Sequence, residues 1–179
     1  MKTRILAAVA LWIAGTVALG HLLATLPNVE LVTASVFLGG VVFGPAFGAL
    51  IGLTGEFLYS LTSPFGLATP PLLAAQLLGM ALAGLAGGLV GPRFFSRPRP
   101  LIVHLLTAAV GLGLTVLYDL LTTSSFLILS GLSLSRLVAS LFFGLGFYAT
   151  HLAWNTFVFA TLVPPLGRKL PGFLPWTQR

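Results

Sequence analysis

The chain has no cysteine, only three acidic residues, and only two lysines, Lys2 and Lys169. Without cysteine there is no disulfide, no thiolate nucleophile and no thiolate metal site. Charged residues make up 7% of the sequence, whereas a soluble domain carries about 25%. So few charges cannot clothe a soluble surface of this size, which excludes a cytosolic enzyme and a disordered chain. Neither lysine ends a glycine-rich turn with Ser or Thr after it, so ATP hydrolysis through a phosphate-binding loop is excluded. His21, His104 and His151 are scattered over separate segments, so no metal site is expected. No Ser-His-Asp or paired-carboxylate spacing is visible, and no internal repeat points to an inverted-repeat transporter. No cofactor is expected.

Apolar residues dominate instead. The 179 residues are 57% hydrophobic, with a mean hydropathy of +1.05. At ~20 residues per span this length holds about six helices and no soluble domain. The net charge of +6 suggests a nucleic-acid partner, but the basic residues fall in three clusters flanking apolar segments. The expected partner is the lipid bilayer, with no nucleic acid. The apolar segments are 5–26, 30–44, 46–62, 70–91, 101–121 and 136–163. The basic start before Ile5 also fits a cleaved leader, but the run to Leu26 is as long as a span. Val29 to Leu61 is too long for one crossing and breaks best at Gly44-Pro45. Thr122 to Ser135 reads as mostly loop, and the last span ends before Pro164-Pro165.

Basic residues set the orientation. Six spans with a cytoplasmic N-terminus place Lys2, Arg4, Arg93, Arg97, Arg99, Arg168, Lys169 and Arg179 inside, and Arg136 alone outside. Merging the second and third spans would put most basic residues outside. The reading is an all-α integral membrane protein, a single membrane domain over 1–179. It is a six-transmembrane-helix bundle with N- and C-termini cytoplasmic, multi-pass in the cytoplasmic (inner) membrane.

Small residues recur every fourth position at Gly44, Gly48 and Gly52, at Ala83, Gly87 and Gly91, and at Ala10, Ala14 and Ala18. Such ridges let helices pack closely. The first two fit internal packing. The alanine ridge lies on the first span and fits either inward packing or an external partner helix. Polar groups inside spans are costly and face a cavity or each other. On this topology Glu56, Gln76, Asp119 and His151 converge in the outer half of the bundle as a polar pocket, with Asn155 four residues after His151 on the same face. An internal hydrogen-bond network is the competing reading. Phe57, Tyr59, Tyr118, Tyr148 and Trp154 can wall a planar ligand or serve as interface anchors.

The chain resembles the substrate-binding S components of energy-coupling factor (ECF) transporters, the bacterial vitamin importers. The resemblance rests on size, the alanine ridge, and the segment Leu26-Pro27-Asn28-Val29-Glu30-Leu31-Val32-Thr33 followed by Gly40 and Phe43-Gly44-Pro45. Gly66-Leu67-Ala68-Thr69-Pro70 with Gln76, then Tyr118-Asp119 and His151-xxx-Asn155, extend it over most of the chain. The third-loop pattern is similar to a branch linked to cobalamin. Leu67 and Pro71 stand where that branch carries tryptophans, so the cargo stays open.

The resemblance implies a subunit that binds a vitamin-like small molecule from outside. It implies association with a membrane T component and two cytoplasmic ATPases. Ala10, Ala14 and Ala18 are then the docking ridge. Asn28, Glu30, Glu56, Tyr59, Gln76, Tyr118, Asp119, His151 and Asn155 are then substrate-binding, with no catalytic residue. Two other classes remain: a small multi-span structural or assembly protein of the cell envelope, and a membrane-embedded enzyme using Glu56 and His151.

Overall fold

The computed structural model describes residues 2–131 and 133–173, so Arg179 lies outside the described residues. Every regular element among them is helical: α1 (Lys2–Leu23), α2 (Val32–Phe43), α3 (Pro45–Thr62), α4 (Pro70–Phe95), α5 (Pro100–Ser130), α6 (Leu134–Phe143), α7 (Leu145–Thr161) and α8 (Val163–Phe173). Proline opens α3, α4 and α5. A first-turn amide has no intrahelical acceptor, so proline costs nothing there and its fixed φ suits the helix. The break between α2 and α3 falls at Gly44. Its φ of +88° is open to glycine and strained for side-chain-bearing residues.

Three stretches are long and apolar enough to cross a membrane: Thr3–Leu23, Pro70–Phe95 and Pro100–Ile128. A fourth is reached if α6 and α7, bent by 65° at Gly144, act as one. The burial pattern agrees with a membrane-embedded protein. Leu11 is 74% exposed and Phe143 82%, whereas Glu56 is 3% exposed and Asn155 0%. Apolar side chains face outward and polar ones inward, the reverse of a soluble domain.

Contacts define two ends. At the proximal end lie the start of α1, the Gly44 turn, the 96–99 loop and α8, where Arg168 donates to the Arg97 carbonyl at 2.9 Å. At the distal end lie the 24–31 loop, the 63–69 loop and the start of α7. α1 to α5 and α7 run alternately between these ends. Trp12 on α1 reaches Ser35 on α2, Gly84 on α4 faces Gly48 on α3, and His104 on α5 reaches Ala160 on α7.

α2 is the axis of the bundle, with ten of its twelve residues buried. It is held by backbone-to-backbone approaches at glycine. A Cβ on Gly40 or Gly48 would strike the Gly84 carbonyl, one on Gly52 the Met80 carbonyl, and one on Gly87 the Phe37 carbonyl. The ridges at Gly48, Gly52 and Gly87 are therefore internal packing surfaces. Phe37 and Phe159 fill the far side of α2, edge to face at 5.2 Å.

The third ridge behaves differently. Ala10, Ala14 and Ala18 are all exposed, and only 17% of the apolar window of α1 is buried, against 33% for α4. α1 sits at the bundle edge with its alanines outward, which removes the inward-packing reading. Beside them Leu11, Gly15, Ala18 and Leu22 line an open apolar groove.

Three boundaries differ from the sequence expectation. Thr122 to Ser130 is not loop but the end of α5. Its hydroxyls bond back along the helix, Thr122 to the Tyr118 carbonyl at 2.9 Å and Ser125 to the Thr122 carbonyl at 2.6 Å, so the polar run costs no backbone order. The sixth segment is two helices rather than one. The chain also continues as helix past Pro164-Pro165, because both prolines lie in the first turn of α8, where proline is tolerated.

Candidate functional site

A cavity of about 490 Å3 opens at the distal end. Its walls come from the end of α1, the 24–31 loop, α2, α3, Phe65, α4, α5 and α7. Of the nine residues expected in a site, seven line it: Asn28, Glu30, Glu56, Tyr59, Gln76, Tyr118 and His151. Asp119 lines an adjoining cavity of about 460 Å3, which shares Asn28, Gln76, Tyr118 and His151 with the first. A further cavity of about 420 Å3 extends past Glu56, Tyr59 and Gln76 beneath the 63–69 loop. Five segments distant in sequence thus place their polar side chains around one space.

His151 is the centre of the polar wall. Its Nδ1 donates to Asp119 Oδ1 at 2.8 Å, and its Nε2 lies 3.8 Å from Glu30 Oε1. The first is a charge-assisted hydrogen bond; the second is in ion-pair range but too long for a hydrogen bond. Both ring nitrogens face carboxylate oxygens, a geometry that a doubly protonated ring satisfies. Tyr118 stands edge-on to this ring at 6.0 Å between centroids.

Glu30 also builds the local structure. Its Oε2 accepts the Thr33 amide at 2.9 Å, supplying an acceptor to the first turn of α2, and its main-chain carbonyl accepts Trp154 Nε1 at 2.7 Å. Asn28 occupies the left-handed region at φ 58°, which asparagine tolerates better than most residues. Its amide donates to the Phe147 carbonyl at 2.8 Å. The loop over the cavity is tied to α7 at two points.

Glu56 is different. It is 3% exposed, lines two of the cavities, and has no hydrogen bond or ion pair to any described residue. Nearby, Gln76 Oε1 is buried without a partner. Glu30 Oε1 and Asp119 Oδ2 are likewise buried without a hydrogen-bond partner among the described residues. An unpaired buried polar group is costly, so Glu56 and these oxygens mark where the protein leaves hydrogen-bonding capacity unspent on itself.

Asn155 is not brought into the site. It is fully buried one turn below His151, lines none of these cavities, and neither its oxygen nor its nitrogen has a partner among the described residues. Among the aromatics, Tyr59 and Tyr118 line the main cavity and Tyr148 the adjoining one. Tyr148 gives or takes a 2.6 Å hydrogen bond with Thr123. Phe57 is 44% exposed on the outer face of α3, and Trp154 serves the Glu30 carbonyl rather than the cavity.

Sequence reading missed Met80 and Phe65 as lining residues. It also missed Gly79, whose missing side chain makes room for the Tyr118 ring. The signal for Gly79 was its place one turn after Gln76. Among the described residues no group of three His, Cys, Asp or Glu side chains is placed to hold a metal ion. Comparison with protein-family models, with curated proteins and with solved structures gives no match to this chain.

Proposed function

We propose that the chain is the substrate-binding subunit of an ECF-type importer. In this reading it takes a vitamin-like small molecule from outside and delivers it through a membrane T component driven by two cytoplasmic ATPases. The observation that carries the reading is the distal cavity, roofed by a tied loop, where Glu56 is buried with no hydrogen bond to a described residue and Gln76 Oε1 is buried without a partner. Ligand sites are concave, mostly apolar, and carry a few convergent polar groups. The resemblance in the 26–33 and 66–70 segments falls on the two loops that border this cavity.

Binding fits the geometry better than chemistry does. An Asp-His pair can act as a general base, but both nitrogens of His151 face carboxylates, an arrangement that suits a doubly protonated ring better than one set to take a substrate proton. A structural or assembly role gives no reason for an unpartnered carboxylate on a cavity wall.

The topology of this reading has six crossings with both ends cytoplasmic. Support comes from the alternating helix directions and from Arg93, Arg97, Arg99 and Arg168 gathering at the proximal end, away from the cavity. The proximal end is then cytoplasmic and the cavity opens outward. On the same reading the outward-facing Ala10, Ala14 and Ala18 receive a T-component helix.

Mass spectrometry of small molecules co-purifying with the chain tests the binding role, and a stoichiometric small organic molecule is expected. Reporters test the topology: one fused after Arg179 should be cytoplasmic, and one at Gly131 external. An external C-terminus, or concentrative uptake by vesicles containing this chain alone, would overturn the proposal.

A further inference from the structure

The three acidic side chains of the sequence, Glu30, Glu56 and Asp119, all lie around the distal cavities, and among the described residues no lysine or arginine lines any of them. Among the described residues His151 is the one basic side chain there. Two of the carboxyls have partners within the protein. Asp119 holds His151, and Glu30 holds the Thr33 amide and faces His151 from the other side. Glu56 alone is left over, 3% exposed, on the wall of the cavity, with no described partner.

We infer that the cavity takes a ligand bearing a cationic nitrogen, with Glu56 as its counter-ion. This rests on the cavity being the cargo site. A buried carboxylate needs an opposite charge or several donors, and the protein supplies neither to Glu56. An anionic ligand would meet three carboxyls against one imidazole. A neutral ligand would leave Glu56 uncompensated once water is expelled. A cation offsets the one carboxylate that has no partner within the protein, and Tyr59 and Tyr118, which line the same cavity, are aromatic rings of the kind that attract positive charge. Gln76 Oε1, buried and unpartnered, is a second acceptor for an O–H or N–H of the same ligand.

The alternative is a neutral ligand that accepts a hydrogen bond from a protonated Glu56. Glutamine at this position keeps the size and the donor but removes the charge, so it separates the two. The test uses choline, its neutral isostere 3,3-dimethyl-1-butanol and the anion 3,3-dimethylbutanoate. Each is titrated calorimetrically into the full chain in detergent, after endogenous small molecules are dialysed away. Wild type should bind choline at least tenfold more tightly than the neutral isostere and should not bind the anion. Glu56→Gln should lose about ten- to a hundredfold in choline affinity and show no preference between the two. The wild-type comparison needs no variant, so it stands even if Glu56→Gln fails to fold.

Equal binding of choline and the alcohol, no binding of choline, or a preference that survives in Glu56→Gln would overturn the inference. A neutral molecule found stoichiometrically with the purified wild type would also overturn it, while leaving the importer reading in place. An external C-terminus would instead remove the importer reading, with the choline preference still to be read on its own.

Discussion

The side-chain amide of Asn28 donates to the main-chain carbonyl of Phe147 at 2.8 Å, across 119 positions of sequence. This bond fastens the 24–31 loop to the start of α7 at the mouth of the cavity. Asn28→Gly keeps the left-handed backbone and removes the tie. One hydrogen bond contributes about 0.5–1.5 kcal/mol net. Amide exchange at Val29 should therefore accelerate about two- to tenfold, measured by hydrogen–deuterium exchange. Unchanged exchange would show that Trp154 and Glu30 hold the loop alone.

Gly48 and Gly113 should respond oppositely to alanine. A Cβ on Gly48 meets the Gly84 carbonyl, whereas one on Gly113 meets nothing within 4 Å. Gly48→Ala must push α3 from α4 and should lower the melting temperature sharply or abolish a monodisperse peak in detergent. Gly113→Ala should hold or raise it, since glycine in a helix interior costs about 0.5–1 kcal/mol relative to alanine. Equal melting temperatures for the two variants would contradict the close crossing.

Asp119 and His151 should be coupled. Removing one partner strands a buried group and typically costs ~3–5 kcal/mol. Asp119→Ala and His151→Ala should each destabilise strongly, and the double variant should cost less than their sum. A coupling of about 0.5–3 kcal/mol is expected from a thermodynamic cycle on detergent-solubilised protein. Strict additivity would mean that the 2.8 Å bond contributes nothing.

The exposed face of α1 gives a prediction about partners. Ala14 is exposed at the middle of the ridge, so Ala14→Trp has room in the isolated chain. It should fold and retain its co-purifying small molecule. A bulky side chain would hold a docking helix away and forfeit dispersion contacts along the ridge. Co-purification with a T component should be lost, measured by pull-down from membranes containing both. Wild-type complex formation would remove α1 as the docking face.

Much of this architecture was readable because backbone chemistry is local. Pro45, Pro70 and Pro100 mark helix starts, and Gly44-Pro45 marks the break. The meeting of Glu56, Gln76 and His151 followed from placing every polar residue at one end of alternating helices. What escaped was decided by tertiary contacts. Thr122, Thr123 and Ser125 read as loop formers, yet their hydroxyls are spent on the Tyr118 and Thr122 carbonyls and on Tyr148. The 65° bend falls at Gly144, where a side chain would meet the Tyr148 ring, a contact that spacing does not encode. Asn155 shares the face of His151, but one helical turn carries it below the floor of the cavity. The outward aim of the alanine ridge required knowing which side of α1 packs on the bundle, the side from which Trp12 reaches Ser35 of α2.

The glycine crossings of α2, α3 and α4 also set the mechanical compliance of the molecule. Where main chain touches main chain there are no rotamers to exchange, and a small separation forfeits the whole contact. These three helices form a hard block. α6 has no buried residue at all and joins α7 through the bend at Gly144, so it is the soft part. A molecule entering or leaving the cavity would then move the tied 24–31 loop, while Glu56 and Gln76, carried on the hard block, keep their positions.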